Sequence, residues 1–176
     1  MRKIIKELAG WLVYIVIVVI IAWGFVTFVA QRTQVSGASM ETTLSDGDQL
    51  IVDKISYQFR EPERFEIIVF PYQYEAGTYY IKRIIGLPGE SVRIDEDGFI
   101  YINGENLQES YGKEVMRDPG LAKDGIQLGA DEYFVLGDNR NNSEDSRYAD
   151  MGNVKKRNII GKVWFIASPW SRFGFV

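Results

Sequence analysis

The chain has 176 residues, 46% of them hydrophobic, which is enough for one domain with a core and too short for two. It has no cysteine, which excludes disulfides, thiolate nucleophiles and Cys-ligated zinc, and no histidine, which excludes a Ser/His/Asp triad, His-ligated metal and a histidine general base. The net charge of −4 is divided: residues 1–35 hold Arg2, Lys3, Lys6 and Arg32 against Glu7, and the remainder holds 16 basic and 23 acidic residues, a body that repels nucleic acid.

Residues 8–30, LAGWLVYIVIVVIIAWGFVTFVA, contain no charge over 23 positions. As a helix this covers about 30 Å or slightly more, the thickness of a bilayer's hydrocarbon core. Trp11 and Tyr14 near one end, and Trp23 and Phe28 toward the other, suit the membrane interfaces, and the basic residues before the run keep the amino terminus cytoplasmic. The expectation is a cytoplasmic tail at 1–7, a single transmembrane helix at 8–30 and an extracytoplasmic domain at 31–176. The run is too long for the apolar region of a cleavable secretory signal, about 7–15 residues. It also lacks the polar stripe of a soluble helix.

Beyond residue 35 the pattern changes to short β-branched and aromatic runs: DQLIVDKI, FEIIVF, TYYIKRII, ESVRI, GFIYING, EYFVLGD and GKVWFIA. With no helical pattern between them, these predict a mainly β fold of antiparallel sheets or a partly closed barrel. Asp97-Gly98 and Asn103-Gly104 each suit a two-residue hairpin turn. Residues 108–127 are polar and aperiodic and predict a long exposed loop.

Three segments carry chemistry. Ser39 lies in SGASMETTL, just beyond the apolar run, and without histidine its proton must pass to a carboxylate or to a neutral lysine. A lysine is neutral only where burial disfavours its charge. In TYYIKRIIGLPGE, strand alternation puts Lys82 on one face with Tyr80 and Ile84, an apolar setting, although a lone strand lysine more often reaches to solvent. Arg83 cannot give up its proton and is a poor base. The third segment, GDNRNNSEDSR at 137–147, has by default the composition of a turn bonding its own backbone. It is equally able to supply a hydroxyl that orients Lys82, with an Asp145/Arg147 pair holding the loop rigid.

Together, the amino-terminal apolar run, SGASMETTL, YIKRIIGLPGE, YING and GDNRNNSEDSR, in this order, resemble the type I signal peptidases of bacteria in their short, single-anchor form. These membrane-anchored serine endopeptidases remove signal peptides from exported preproteins. The resemblance implies a mostly β catalytic domain of the kind shared with the self-cleaving SOS repressors, and a Ser/Lys dyad with Ser39 as nucleophile and Lys82 as general base. It implies that the Ser143 hydroxyl orients the lysine and that Asp145 and Arg147 form a supporting salt bridge. Met40 matches the apolar residue beside the serine where the catalytic domain meets the membrane, and the Ser39 backbone N–H would serve the oxyanion hole. The implied partners are signal peptides, cut after alanine-like residues, and membrane lipid; no cofactor, metal or nucleic acid is expected.

The sequence departs from the family at three places. Gly37 stands where many members carry a serine hydroxyl, and Thr42 where proline is usual, which predicts a looser loop. Arg64-Phe65-Glu66 replaces the common Arg-Gly-Asp and loses a glycine that eases a turn. Two other readings stand beside the peptidase. The soluble SOS-type self-cleaving proteins fit poorly with an anchor, and a non-catalytic accessory or chaperone of surface-fibre (pilus) assembly would have no need of Ser39 and Lys82.

Overall fold

The computed structural model describes residues 2–28, 30–75 and 77–176, and does not describe the side chains of 2–5, 8–9, 22–23, 25–28 and 30. The interfacial roles expected of Trp23 and Phe28, and the topological role of Arg2 and Lys3, fall on side chains outside that description. The elements in chain order are α1 (Arg2–Phe28), β1 (Ala30–Gln34), β2 (Gln49–Asp53), β3 (Ile67–Pro71), β4 (Tyr79–Gly86), β5 (Ser91–Ile94) and β6 (Ile100–Ile102). There follow β7 (Glu105–Asn106), β8 (Ile126–Gln127), β9 (Glu132–Leu136), β10 (Val154–Lys155), β11 (Gly161–Ser168) and β12 (Gly174–Phe175).

Helix α1 begins well before the apolar run, because the residues preceding it include good helix formers and no breaker. The helix thus takes in residues 2–7 as well, and Ala30, expected in the helix, belongs to β1. Among the described residues no helix is long and apolar enough to cross a membrane.

The seven apolar runs became β2, β3, β4, β5, β6, β9 and β11, all paired antiparallel. The large sheet has the order β1-β2-β11-β3-β4-β9-β10, with β12 added to β11, and a four-stranded sheet has the order β7-β6-β5-β8. The partly closed barrel is not formed. Closure requires the two edge strands to pair, and here the path ends in β1 on one side and the two-residue β10 on the other, too short a ladder to join them.

Asn103 and Gly104, at φ 52° and 88°, make the expected two-residue turn between β6 and β7. The turn at Gly98 is longer than expected. Asp95 pairs with Phe99 across a loop in which the Asp95 carboxylate accepts the N–H groups of Asp97 and Phe99, and only Gly98 has a positive φ, 83°. Residues 108–127 are not one open loop either. Met116 and Ala122 are buried, the latter within a short 3-10 turn at Gly120–Asp124, so apolar side chains too sparse to show a period still anchor this segment to the small sheet.

Apolar side chains cluster in three places: between the two sheets around Ile85, Val92, Ile94 and Phe134; beneath the β1–β2 connection around Met40, Leu44, Leu50 and Val163; and on the opposite face around Ile68, Ile84 and Val135. Strand β4 contributes to more than one of these, so both its faces are covered. This is what buries Lys82.

Candidate active site

The connection from β1 to β2 carries Ser39. Gln34 pairs with Gln49, so residues 35–48 fold back above the hairpin. Val35 N–H donates to Asp48 O, Gly47 N–H to Val35 O and Gly37 N–H to the Asp46 carboxylate, while Met40 and Leu44, one helical turn apart, point into the core. Two apolar plugs on one side leave half-buried Ser39 on the other. Thr42 is exposed, and its N–H, which a proline would lack, has no acceptor among the described residues. Met40 is 1% exposed, so its side chain fills the core beneath the loop.

Lys82 lies in β4, opposite Ile68 of β3 and one residue from Arg83, which pairs with Leu136 of β9. It is 2% exposed, and its Nζ donates to Ser39 Oγ at 2.7 Å. Burial pulls its pKa down from the usual lysine value to about 8, against the opposing charges of Asp145, Glu144 and Asp138, which favour the ammonium. The Tyr80 ring, 5.1 Å from Nζ, closes one side of the pocket, and the Tyr80 hydroxyl donates to Glu144 at 2.9 Å.

Strand β9 runs antiparallel to β4 and delivers Gly137–Arg147 beside Lys82. Asp145 and Arg147 form a bidentate ion pair, Nε to Oδ1 at 2.7 Å and Nη2 to Oδ2 at 2.9 Å, with both side chains no more than 1% exposed. Arg147 also donates to the carbonyls of Asp118, Arg140 and Ser143, and Asp145 accepts the Gly137 N–H, so the pair fastens the whole segment. Arg147 is raised further above its already high pKa by Asp145 despite the opposing effect of its own burial. Ser143 borders the cleft, but its Oγ donates to Glu144 O at a long 3.5 Å and makes no bond to Lys82. Gly137 allows the approach: a Cβ there would lie 2.5 Å from Ser39 O and nearer still to Ser143 Oγ.

Several contributors were not singled out from the sequence. Arg83 donates to both oxygens of Asp138, at 2.9 and 2.7 Å, and Thr43, four residues after Ser39, donates to Asp138 Oδ2 at 2.6 Å. This buried network ties the serine loop, the lysine strand and the 137–147 segment to one another. The clue was Arg83 itself, since a guanidinium on the covered face of a strand needs a buried carboxylate. Asn139 follows, its Nδ2 donating to Ala38 O and its N–H to Ser39 O, both at 3.0 Å. Phe65, at the position of the missing glycine, still takes the left-handed conformation, φ 72°, while its ring packs on Tyr111 and its carbonyl accepts from Arg83.

Ser39 and Lys82 open onto a cleft of about 950 Å³ bounded by the end of β1, the serine loop, the start of β4 and residues 141–144. Strand β1 is the edge of its sheet, paired among the described residues only with β2, and leaves backbone groups unpaired beside the cleft. Among the described residues no acidic cluster suited to a metal ion occurs. The site is thus equipped for proton transfer between a hydroxyl and a buried amine next to an extended groove.

Residues 8–170 match the family model described as signal peptidase, peptidase S26. The chain is 42% identical over 163 residues to a probable signal peptidase I-2 from Synechocystis sp., covering 90% of this chain and 72% of that protein. It is 38% identical over 180 residues to signal peptidase I P from Bacillus subtilis subsp. natto, covering 97% of this chain and 95% of that protein. A crystal structure of a signal peptidase I from Enterococcus faecalis V583 superposes with a TM-score of 0.49 at 38% identity, over 59% of this chain and 97% of that one.

Proposed function

We propose, from the premise that the chain belongs to the signal peptidase family S26, that it is a membrane-anchored serine endopeptidase that cuts signal peptides from exported preproteins with Ser39 and Lys82. The observation that carries this reading is the 2.7 Å contact between Lys82 Nζ and Ser39 Oγ at a lysine that burial holds near a pKa of about 8. In the neutral form of Lys82 the same contact runs the other way, with the hydroxyl donating to the nitrogen lone pair.

Lys82 takes the Ser39 proton as Oγ bonds to the scissile carbonyl carbon, and the carbonyl oxygen gains negative charge opposite the Ser39 N–H. The protonated lysine then gives its proton to the leaving amine, the peptide bond breaks, and the signal peptide remains esterified to Ser39. Water, losing a proton to Lys82, attacks the ester; the acid is released and Ser39 recovers its proton. For Ser143 to orient Lys82, as the resemblance implies, its hydroxyl must turn from Glu144 O toward Nζ, and the Asp145–Arg147 pair keeps its segment in place.

The anchor reading, with a tail at 1–7, a membrane span from residue 8 to the end of α1 at Phe28, the strand-rich domain outside and the amino terminus cytoplasmic, draws support from α1. Its side chains from Trp11 to Ile21 are 46–67% exposed without a polar face. The β-branched run Ile15–Ile21 favours strand in water, and lipid, where each backbone group needs an internal partner, favours the helix observed. A tethered protease meets tethered substrates at raised effective concentration. An extended chain paired on the β1 edge would offer small side chains to the cleft, which suits alanine-like residues one and three positions before the cut.

The test is cleavage of a synthetic preprotein by the detergent-solubilised chain, wild type beside Ser39→Ala, with the cut located by mass spectrometry. A cut after a small residue that disappears in the variant is expected. A folded wild type that binds but leaves several diverse preproteins whole would instead favour an assembly role.

A further inference from the structure

We infer that Asn139 is a positioning residue that aims the oxyanion-binding N–H of Ser39, an inference that rests on the peptidase reading above. Asn139 is 6% exposed and holds both carbonyls that flank Ser39: its Nδ2 donates to Ala38 O and its own N–H to Ser39 O, each at 3.0 Å. The two peptide planes on either side of the serine are therefore set by one residue.

The Ala38–Ser39 peptide is trans, so its C=O and N–H point in opposite directions. Fixing the carbonyl toward Asn139 turns the Ser39 N–H away from it. That N–H donates to no acceptor among the described residues; the same holds for Ala38 and Met40 on either side, but only the Ser39 N–H sits on the peptide whose carbonyl Asn139 Nδ2 holds and beside the Oγ that Lys82 bonds. A donor left open next to a hydroxyl bonded by Lys82 is where the charge on an attacked carbonyl oxygen would collect. A second effect acts on the same atom. Ala38 O also accepts the Glu41 N–H at 3.2 Å, and two donors on one amide oxygen draw electron density from the nitrogen and strengthen its N–H as a donor.

The arrangement matters more here than a single backbone donor usually does, because Gly37 offers no side-chain hydroxyl to share the work. Asn139 is moreover next to Asp138, which is held by Arg83, the neighbour of Lys82. The lysine and the oxyanion donor are thus referenced to each other through four consecutive contacts, from Lys82 through Arg83, Asp138 and Asn139 to the Ser39 backbone.

Asn139→Ala removes the Nδ2 bond and keeps the main-chain one, and Ala38 O retains Glu41, so the loop stays anchored. Asn139→Asp keeps the shape and puts an acceptor against a carbonyl. The experiment measures kcat and KM on one preprotein, inhibition by a peptide aldehyde of matching sequence, and the thermal midpoint, all on the full chain in detergent. An aldehyde forms a tetrahedral adduct with Ser39 and so reports the oxyanion contact directly.

The expected result is a fall in kcat of about 10–100-fold for Ala and more for Asp, with KM within about threefold, since only a transition-state contact is affected. Aldehyde binding should weaken in parallel with kcat, and the midpoint should drop by no more than about 4 °C for Ala. Near-normal kcat in both variants overturns the inference while leaving the peptidase reading intact, as does a loss shared equally by KM, kcat and stability, which marks a merely structural residue. Failure of the wild type to cleave overturns the peptidase reading itself and the inference with it.

Discussion

Replacing Lys82 with methionine should stabilise the protein at neutral pH, and by an amount that disappears in alkali. The unfolded lysine titrates near 10.5 and the buried one near about 8, a gap of about 2.5 units, or roughly 3 kcal/mol. The depressed pKa means that the unfolded chain binds the proton more tightly than the native one, so stability rises with pH through this window. Below pH 8 the native state carries the whole penalty; at pH 9 about 2 kcal/mol of it remains; by pH 11 both states are neutral and it is gone. Methionine fills similar volume without the charge and loses one hydrogen bond to Ser39, worth about 1 kcal/mol. The variant should therefore exceed wild type by about 2 kcal/mol at pH 7 and fall about 1 kcal/mol below it at pH 11. Denaturant unfolding of both full-length proteins in one detergent, followed by tryptophan fluorescence at pH 7, 9 and 11, measures this difference and cancels groups that titrate in both. A stability gap that does not change with pH, or a wild type that is the more stable at pH 7, would refute the burial argument for Lys82.

Three further outcomes follow from the same geometry. Arg147→Met should destabilise the protein by about 3–5 kcal/mol, because it strands Asp145 as a buried charge, and equilibrium unfolding reads this out. Gly137→Ala should lower kcat on a preprotein at least tenfold, by about the effect of moving a reacting group by an ångström, because its Cβ must displace Ser39 O or Ser143 Oγ. At position 65 the usual order of truncations should invert: with φ at 72°, Phe65→Gly should be more stable than Phe65→Ala by about 1 kcal/mol, both being below wild type, in denaturant titrations.

How much of this was legible before folding depended on how local the signal was. Period-two runs located the long strands, since alternation and β-branching are properties of neighbouring residues. The strands β7, β8, β10 and β12 have two residues each and no period to detect, and β1, AQRTQ, is a polar edge that exists through its pairing with β2. Barrel closure depends on whether two distant edges meet, which no stretch of sequence encodes alone. For the site, the positions of Ser39 and Lys82 came from motif order, while their contact came from β4 being covered on both faces. The roles of Asp138, Asn139 and Thr43 were hidden because each bonds across more than ninety residues of chain, whereas the default reading of a polar loop is that it bonds to itself. Phe65 shows the reverse: the missing glycine was visible, and the backbone takes the glycine conformation regardless, held by Arg83 on its carbonyl and Ile84 O on its N–H.

The central claim is that a neutral Lys82 is the base for Ser39. Its most direct test is the pH dependence of kcat/KM on a single preprotein between pH 6 and 10, since this ratio reports ionisations of the free enzyme. The account predicts a rate that climbs about tenfold per pH unit and levels off around the lysine's value of about 8. A profile flat across that range, or one that falls as Lys82 loses its proton, would contradict it.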